Sequence, residues 1–314
     1  MNDTNITRRQ CLGKIVSISA TIAFSKTFSF AEIPTNPIEK PKGQPLFLIE
    51  GVSTKPTYSI RELVRQVFNA AGGIQKFISK ADIVAIKPNI SWARAPEYAA
   101  TTHPEVLEAV IELCQEAGAA KIKIADNTIH DARQCFGITG VGNVAQKTGV
   151  ELVFPRESLM KEMKINGDRL DIWPVFIPLI EADKLINLPV AKVHGLSTLT
   201  LGMKNWIGAV GGRRSSLHQD IHKTIVDLAQ FFKPSLTLID ATRIMIQNGP
   251  SGGSLSDVQL KQHIILSNDS VAADAKGAEL FGHTPDEIEY IRIAHQHGLG
   301  IFVNQGVTYQ KVTI

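Results

Sequence analysis

The stretch Ile83-Val84-Ala85-Ile86-Lys87-Pro88-Asn89, with Thr102-His103-Pro104-Glu105 and Lys121-Ile122-Lys123-Ile124-Ala125-Asp126 after it, decides the fold class. An apolar run of strand length is halted by Pro88, which has no N–H for a ladder. A helix is expected from Thr102 to Ala117. A capping box opens it, with Glu105 reaching back to the Thr102 amide, and Gly118 closes it. A second apolar run then ends at Asp126. Short apolar runs alternating with amphipathic segments are the signature of an α/β layer fold. The expectation is a mostly parallel sheet with helices on both faces and room for a small second lobe.

The same rhythm extends in both directions. Strands are expected at residues 46–50, 150–154, 184–188, 236–240 and 263–267. Helices are expected at 60–71, 141–148, 271–281 and 286–296. Asn166-Gly167 suits a primed hairpin turn between residues 163 and 172. Ser197 is expected to cap a helix through Trp206, with Leu199, Met203 and Trp206 in the core. Ser216 and Gln219 form a second capping box, opening a helix to Phe232.

The N-terminus carries a different message. Thr7-Arg8-Arg9-Gln10-Cys11-Leu12-Gly13-Lys14, an uncharged run to Ser25 and the small-residue stop Ser29-Phe30-Ala31 read as a twin-arginine export signal. Gln10 and Cys11 replace the bulky apolar residues usual after the arginines. The expected division is a signal peptide over 1–31, a Pro-rich leader over 32–45 and a single α/β domain over 46–314. The implied partner is the twin-arginine translocase and the implied location the periplasm. Because that route carries folded proteins, a cofactor or partner can be acquired before export.

Charge is informative once the signal is set aside. The whole chain has 33 Lys+Arg against 30 Asp+Glu; residues 1–31 hold four of the first and one of the second, which leaves 29 of each. A formally neutral mature protein gives no basis for nucleic-acid binding or for attachment to anionic lipid. With Cys11 in the signal, only Cys114 and Cys135 remain, too few for a Cys-ligated iron–sulfur cluster. Cys114 lies in an apolar helical run and is expected to be a buried thiol.

Ligands of open α/β sheets bind beyond the carboxyl ends of the strands. Polar residues follow five expected strands: Lys87 and Asn89, Asp126 and Asn127, Lys192 and His194, Asp240 with Thr242 and Arg243, and Asn268 with Asp269. Lys87, Asn89, Thr102, Lys192, Asn205 and Arg243 are the candidates for binding an anionic small molecule or a cofactor. His194, Lys204 and His103 are the catalytic candidates, since imidazole titrates near neutral pH. Lys192 and His194, two residues apart in extended chain, point the same way. His218 and His222, four apart on the expected helix, share one face as metal ligands do, with His194 as a third ligand. The glycine-rich 247–253 loop could offer amides to a phosphate but lacks P-loop and dinucleotide spacing, so a plain turn is favoured. HExxH and GxSxG are absent, which removes the simplest hydrolase readings.

The ordered set Lys87-Pro88-Asn89, Thr102-His103-Pro104-Glu105, Lys192-Val193-His194, Lys204-Asn205-Trp206-Ile207-Gly208, Asn248-Gly249-Pro250 and Asp274 resembles the domain-of-unknown-function 362 family. The similarity runs from about Ile83 to Gly300. It implies a redox- or metal-linked role by association, and it makes Lys87, Asn89, Thr102, His103, His194, Lys204 and Asn205 the family's polar core. Many such proteins carry a ferredoxin-like module, whereas this chain has no cysteine cluster. The function expected is therefore an exported protein that binds an anionic small molecule or metal cofactor in a redox-linked role. The rival is a non-catalytic cofactor-binding, maturation or partner subunit of a redox complex.

Overall fold

Residues on the central strands alternate between two apolar layers, and this alternation sets the architecture. Ile49, Val84, Ile86, Leu238 and Ile264 face one core, while Leu48, Ala85, Ile239 and Ile265 face the other. The computed structural model describes residues 45–302 and 306–314. The expected signal peptide and nearly all of the Pro-rich leader lie outside the described residues.

The elements run β1 (Phe47–Val52), α1 (Ile60–Ala70), β2 (Ile83–Pro88), α2 (Pro104–Glu116), β3 (Lys121–Ala125), α3 (Ala132–Ile138), α4 (Val141–Thr148) and β4 (Glu151–Val153). Then come β5 (Met160–Lys164), β6 (Ile172–Phe176), α5 (Ile177–Ile180), β7 (Lys184–Leu188), β8 (Val190–His194) and β9 (Thr198–Thr200). The chain continues through α6 (Ile221–Phe232), β10 (Leu236–Met245), β11 (Val258–Ser267), α7 (Ser270–Glu279), α8 (Glu289–Gln296) and β12 (Thr308–Thr313). A 10-stranded sheet has the order β12-β1-β11-β10-β7-β2-β3-β4, with β8 beside β10 and β9 beside β8. The run β10-β7-β2-β3-β4 is parallel, whereas β11 is antiparallel to both neighbours. Helices α1, α2 and α4 cover one face; α6, α7 and α8 cover the other.

The small lobe allowed for in the sequence is a β5–β6 hairpin that forms its own two-stranded sheet. Its Met163, Val175 and Phe176 join the core under α6–α8, so it adds no core of its own. The expected two-residue Asn-Gly turn is instead a longer loop, residues 165–171, wrapped around a carboxylate. Asp227 on α6 accepts N–H bonds from Asp168, Arg169 and Leu170 at 2.8–2.9 Å.

Three other local expectations are corrected. Helix α2 is capped by His103, whose Nδ1 accepts the Glu105 N–H, because the Thr102 hydroxyl bonds across the sheet instead. The helix expected from Ser197 is strand β9 followed by a 3₁₀ turn, Met203–Ala209. Gly195 and the following residues turn the chain so that Thr198 and Thr200 pair with His194 and Lys192. Leu199, Met203 and Trp206 are buried, as expected. The helix expected from Ser216 begins only at Ile221, with Asp220 as its cap, and His218 sits in a separate 3₁₀ turn, Arg214–His218.

Candidate functional site

The parallel strands β2, β3 and β7 end at one edge, which gathers Lys87, Asp126 and Asn187. Lys87 is fully buried and its Nζ lies 2.6 Å from Asp126 Oδ1. The same ammonium donates to Asn205 Oδ1 at 2.9 Å and to the Pro88 carbonyl at 3.0 Å. Burial pushes its pKa down, and Asp126 opposes the push. Gly208 is pressed against this pair: a Cβ there would stand 2.3 Å from Asp126 Oδ1 and 2.7 Å from Lys87 Nζ.

Around the pair runs a chain of side-chain amides. Asn187 Nδ2 donates to the Gly202 carbonyl, and Asn205 Nδ2 donates to Asn187 Oδ1. Asn89 Nδ2 donates to Asn205 Oδ1 at 3.2 Å. At the start of the turn that carries Lys204 and Asn205, the buried Asp274 carboxylate accepts the Gly202 and Met203 N–H groups at 2.6 and 2.9 Å. Burial raises the pKa of Asp274 to about 7.

Lys192, on β8, and Lys204, on the 3₁₀ turn, are the uncompensated cations. Lys192 is buried, donates to the Ala100 carbonyl and has no ion-paired carboxylate among the described residues; burial and the neighbouring Lys204 charge hold its pKa well below the ordinary lysine value, against the pull of Asp126. Lys204 is 8% exposed and has no hydrogen-bond acceptor or carboxylate among the described residues. Burial alone lowers its pKa to about 7. Arg214 stands at the rim, its guanidinium donating to the Asn127 and Thr128 carbonyls at 2.6 Å each.

Two imidazoles complete the group. His194 and His218 stack with ring centroids 6.3 Å apart and planes 18° from parallel. His194 Nδ1 accepts the Leu196 and Ser197 N–H groups, so its proton sits on Nε2. His218 Nδ1 faces the Arg214 carbonyl at 3.3 Å and must donate to it, which leaves the lone pair on Nε2. The pair thus presents one N–H donor and one basic nitrogen. Burial, then the Lys204, His218 and Lys192 charges, push the His194 pKa down to about 3. Burial and Lys204 lower His218 as well.

Of the residues picked from sequence, Lys87, Asn89, Asn205, Lys192, His194, Lys204 and His218 therefore come together. Thr102 braces the site: its hydroxyl accepts the Asn89 N–H and donates to the Leu188 carbonyl. His103 and Arg243 form a neighbouring group with Asp240 and Tyr58. There Asp240 accepts the His103 N–H at 2.8 Å, and burial lowers the imidazole pKa. His222 leaves the expected three-histidine set. It stacks on Tyr290 and its Nε2 lies 3.3 Å from Glu289, because the cap at Asp220 breaks the helix between it and His218. Among the described residues no group of three or more His, Cys, Asp or Glu could hold a metal ion. Asn268 and Asp269 lie at the opposite edge, since β11 is antiparallel; Asp269 caps α7. In the 247–253 loop, Asp257 already occupies the Gly253 and Ser254 amides.

Sequence reasoning missed Asn187 and Thr101, the latter next to the Ala100 carbonyl that Lys192 bonds and with its hydroxyl buried without a partner among the described residues. Asn187 hides inside an apolar strand, and only its being a polar residue within that strand marked it. Thr101 had no signal. Two surface cavities, one of about 300 Å³ beside Met203 and Ser270, the other of about 480 Å³ beside Gln115 and Glu151, do not include the cationic cluster.

No helix among the described residues is long and apolar enough to cross a membrane. A thylakoid-associated protein of Synechocystis is 27% identical over 251 residues, which are 77% of this chain and 76% of that one. Among solved structures, the lactate racemase apoprotein of Thermoanaerobacterium thermosaccharolyticum aligns at 15% identity over 82% of this chain, with a TM-score of 0.44. A Thermotoga maritima protein aligns at 11% identity over 71% of the chain, with a TM-score of 0.41. The chain spans about three fifths of the length of these two structures (62% and 59%). The model of the domain of unknown function DUF362 matches residues 84–279, which hold every member of the cationic cluster, and the chain belongs to that family.

Proposed function

We propose that this chain is an enzyme that binds a small carboxylate or phosphate between Lys192 and Lys204 and moves a proton with His194 and His218. One observation carries the reading: Lys192 and Lys204 are neighbouring buried lysines, and among the described residues the only acceptor for either amine is the Ala100 carbonyl. Unpaired buried charge is expensive, and an anionic guest removes the expense. The Lys87–Asp126 pair is internally neutral, so the excess positive charge belongs to Lys192, Lys204 and Arg214. His218 Nε2 is placed to accept a proton, and the His194 Nε2–H to donate a hydrogen bond to a developing oxyanion. A nucleophilic cysteine among the described residues has no part, since both thiols are buried and Cys114 is pushed up to about 12.

A metal cofactor held by these residues is a poorer fit. The cluster offers lysine and arginine charges where a cation would need carboxylates. The proposal keeps export by the twin-arginine translocase, carried by Arg8 and Arg9, and a periplasmic site of action. A redox partner protein would then exchange the anion rather than share a metal.

The test is thermal unfolding of wild type and Lys204→Met with sodium phosphate or sodium acetate, against sodium chloride at equal ionic strength. Stabilisation of wild type by either anion, absent in the variant, supports the reading. Equal responses in both proteins would remove it.

A further inference from the structure

We infer that the ligand of this site carries a hydrogen-bond donor, a hydroxyl or a protonated amine, next to its anionic group, and that Asn89 Oδ1 reads it. The inference rests on the anion reading above. It comes from the orientation of three side-chain amides, which the network fixes without ambiguity. Asn187 must present Nδ2 to the Gly202 carbonyl, so its Oδ1 is an acceptor. Asn205 therefore gives its Nδ2 to Asn187 Oδ1, and to the Lys87 carbonyl at 3.1 Å. That turns Asn205 Oδ1 toward Lys87 Nζ, which can only donate. Asn89 must meet the same oxygen with Nδ2, which leaves its own Oδ1 outside this network. This Oδ1 is buried and accepts no hydrogen bond.

Three further observations link Asn89 to the residues around the two lysines. Asn205 follows Lys204 in the chain. The Asn89 N–H is held by Thr102, two residues from the Ala100 carbonyl that Lys192 grips. The hydroxyls of Thr101 and Thr200 are also buried without partners, and Thr200 pairs directly with Lys192 across β8 and β9. The two kinds of unpaired atom make different demands. A hydroxyl rotates and can donate to an anion's oxygen; an amide oxygen only accepts. A ligand made of acceptors alone would satisfy Lys192, Lys204, Thr101 and Thr200 but would leave Asn89 Oδ1 against an oxygen. A 2-hydroxy or 2-amino carboxylate, or a hydroxyl-bearing phosphate ester, supplies what is lacking.

Matched probes decide the matter: acetate against glycolate, and succinate against malate, with dissociation constants from titration of the purified protein by ligand-observed NMR. Wild type should prefer each hydroxylated member by on the order of tenfold, the worth of one buried hydrogen bond and its otherwise unsatisfied acceptor. In Asn89→Ala the preference for the hydroxylated member should vanish. Because the wild-type ratio alone is decisive, the result does not depend on the variant folding. Binding of both members of each pair with equal affinity would overturn the inference and leave the anion site standing. Failure of all four acids and of inorganic phosphate to bind would overturn the anion reading, and this inference with it.

Discussion

Replacing Lys204 with methionine should make the protein more stable, by an amount that shrinks as the pH rises. Burial lowers the Lys204 ammonium from an ordinary 10.5 to about 7. At about 1.4 kcal/mol for each tenfold change, that gap corresponds to roughly 5 kcal/mol of stability withheld by the charged side chain. Below pH 7 the lysine is protonated in both folded and unfolded chains, and the whole cost is present. Between pH 7 and 10.5 the unfolded chain holds a proton that the folded chain has released, so wild-type stability climbs with pH. About 2 kcal/mol of the deficit is left at pH 9 by the same relation. Methionine keeps the unbranched stem and removes the charge, and such replacements of buried ions by apolar groups are commonly stabilising. Urea unfolding at pH 6 and pH 9 measures the effect: the variant should exceed wild type by about 3–5 kcal/mol at the lower pH and by about 2 kcal/mol or less at the higher. A variant less stable than wild type, or a difference indifferent to pH, would mean that the ammonium has a partner or stands in water. Either result would undo the electrostatic argument for the site.

Other substitutions probe the supporting structure. Gly208→Ala drives a methyl group into the Lys87–Asp126 pair and should cost about 3 kcal/mol, within the range for disrupting a buried ion pair, measured by chemical denaturation. Glu50 is held down to about 2 by its His263 hydrogen bond first, then by Tyr309, Lys276 and Lys311, against an opposing effect of burial. Its contribution, about 3 kcal/mol, is present above the ordinary carboxylate pKa and is lost as pH falls through about 2, so Glu50→Gln should flatten the acid limb of the stability profile. Asp227→Ala frees three N–H groups of the 165–171 loop and should cost about 2–4 kcal/mol, with amide exchange rising first at Asp168, Arg169 and Leu170. The double change Arg8→Lys with Arg9→Lys should abolish periplasmic accumulation in a fractionation assay, and an unchanged distribution would discard the export signal.

Much of this fold was legible because its elements are locally consistent. The strands at residues 83–87, 121–125 and 184–188 were marked by apolar runs with a proline or aspartate at their ends, and each is a parallel strand of the sheet. Helix α2 has a different cap from the one expected: Thr102 is the better N-cap residue type, but its hydroxyl is engaged by the distant Leu188 carbonyl, and Pro104 at the first helical position leaves His103 as the cap. The segment 197–206 failed for a similar reason. Its small and apolar residues suit a helix, but pairing of β9 with Lys192–His194 overrides that preference. The mispaired histidines follow from the same kind of error one turn later, because a helix assumed continuous through Asp220 puts His218 and His222 on one face. The site itself was half visible. Lysines, histidines and asparagines after strands announce a polar edge, whereas the unpaired state of Lys204 and of Asn89 Oδ1 depends on where every other donor goes.

That dependence is what supports the proposed reading of the cluster as a binding device. A fold selected for stability alone would replace Lys192 and Lys204 with methionine or leucine, as no carboxylate among the described residues forms an ion pair with either. It would also avoid Thr198 at a φ of 62°, a conformation that side chains other than glycine, asparagine and aspartate seldom adopt. Such costs are tolerated when the surroundings hold them in place, and here the surroundings are rigid. Asp274 clamps the start of the turn bearing Lys204, and the asparagine chain locks the turn to β2 and β7. The two apolar layers on either side of the sheet supply the stability that the polar edge forgoes. On the proposed reading the lysines are preorganised, and a guest of opposite sign would recover their unfavourable energy on binding instead of having to order flexible side chains.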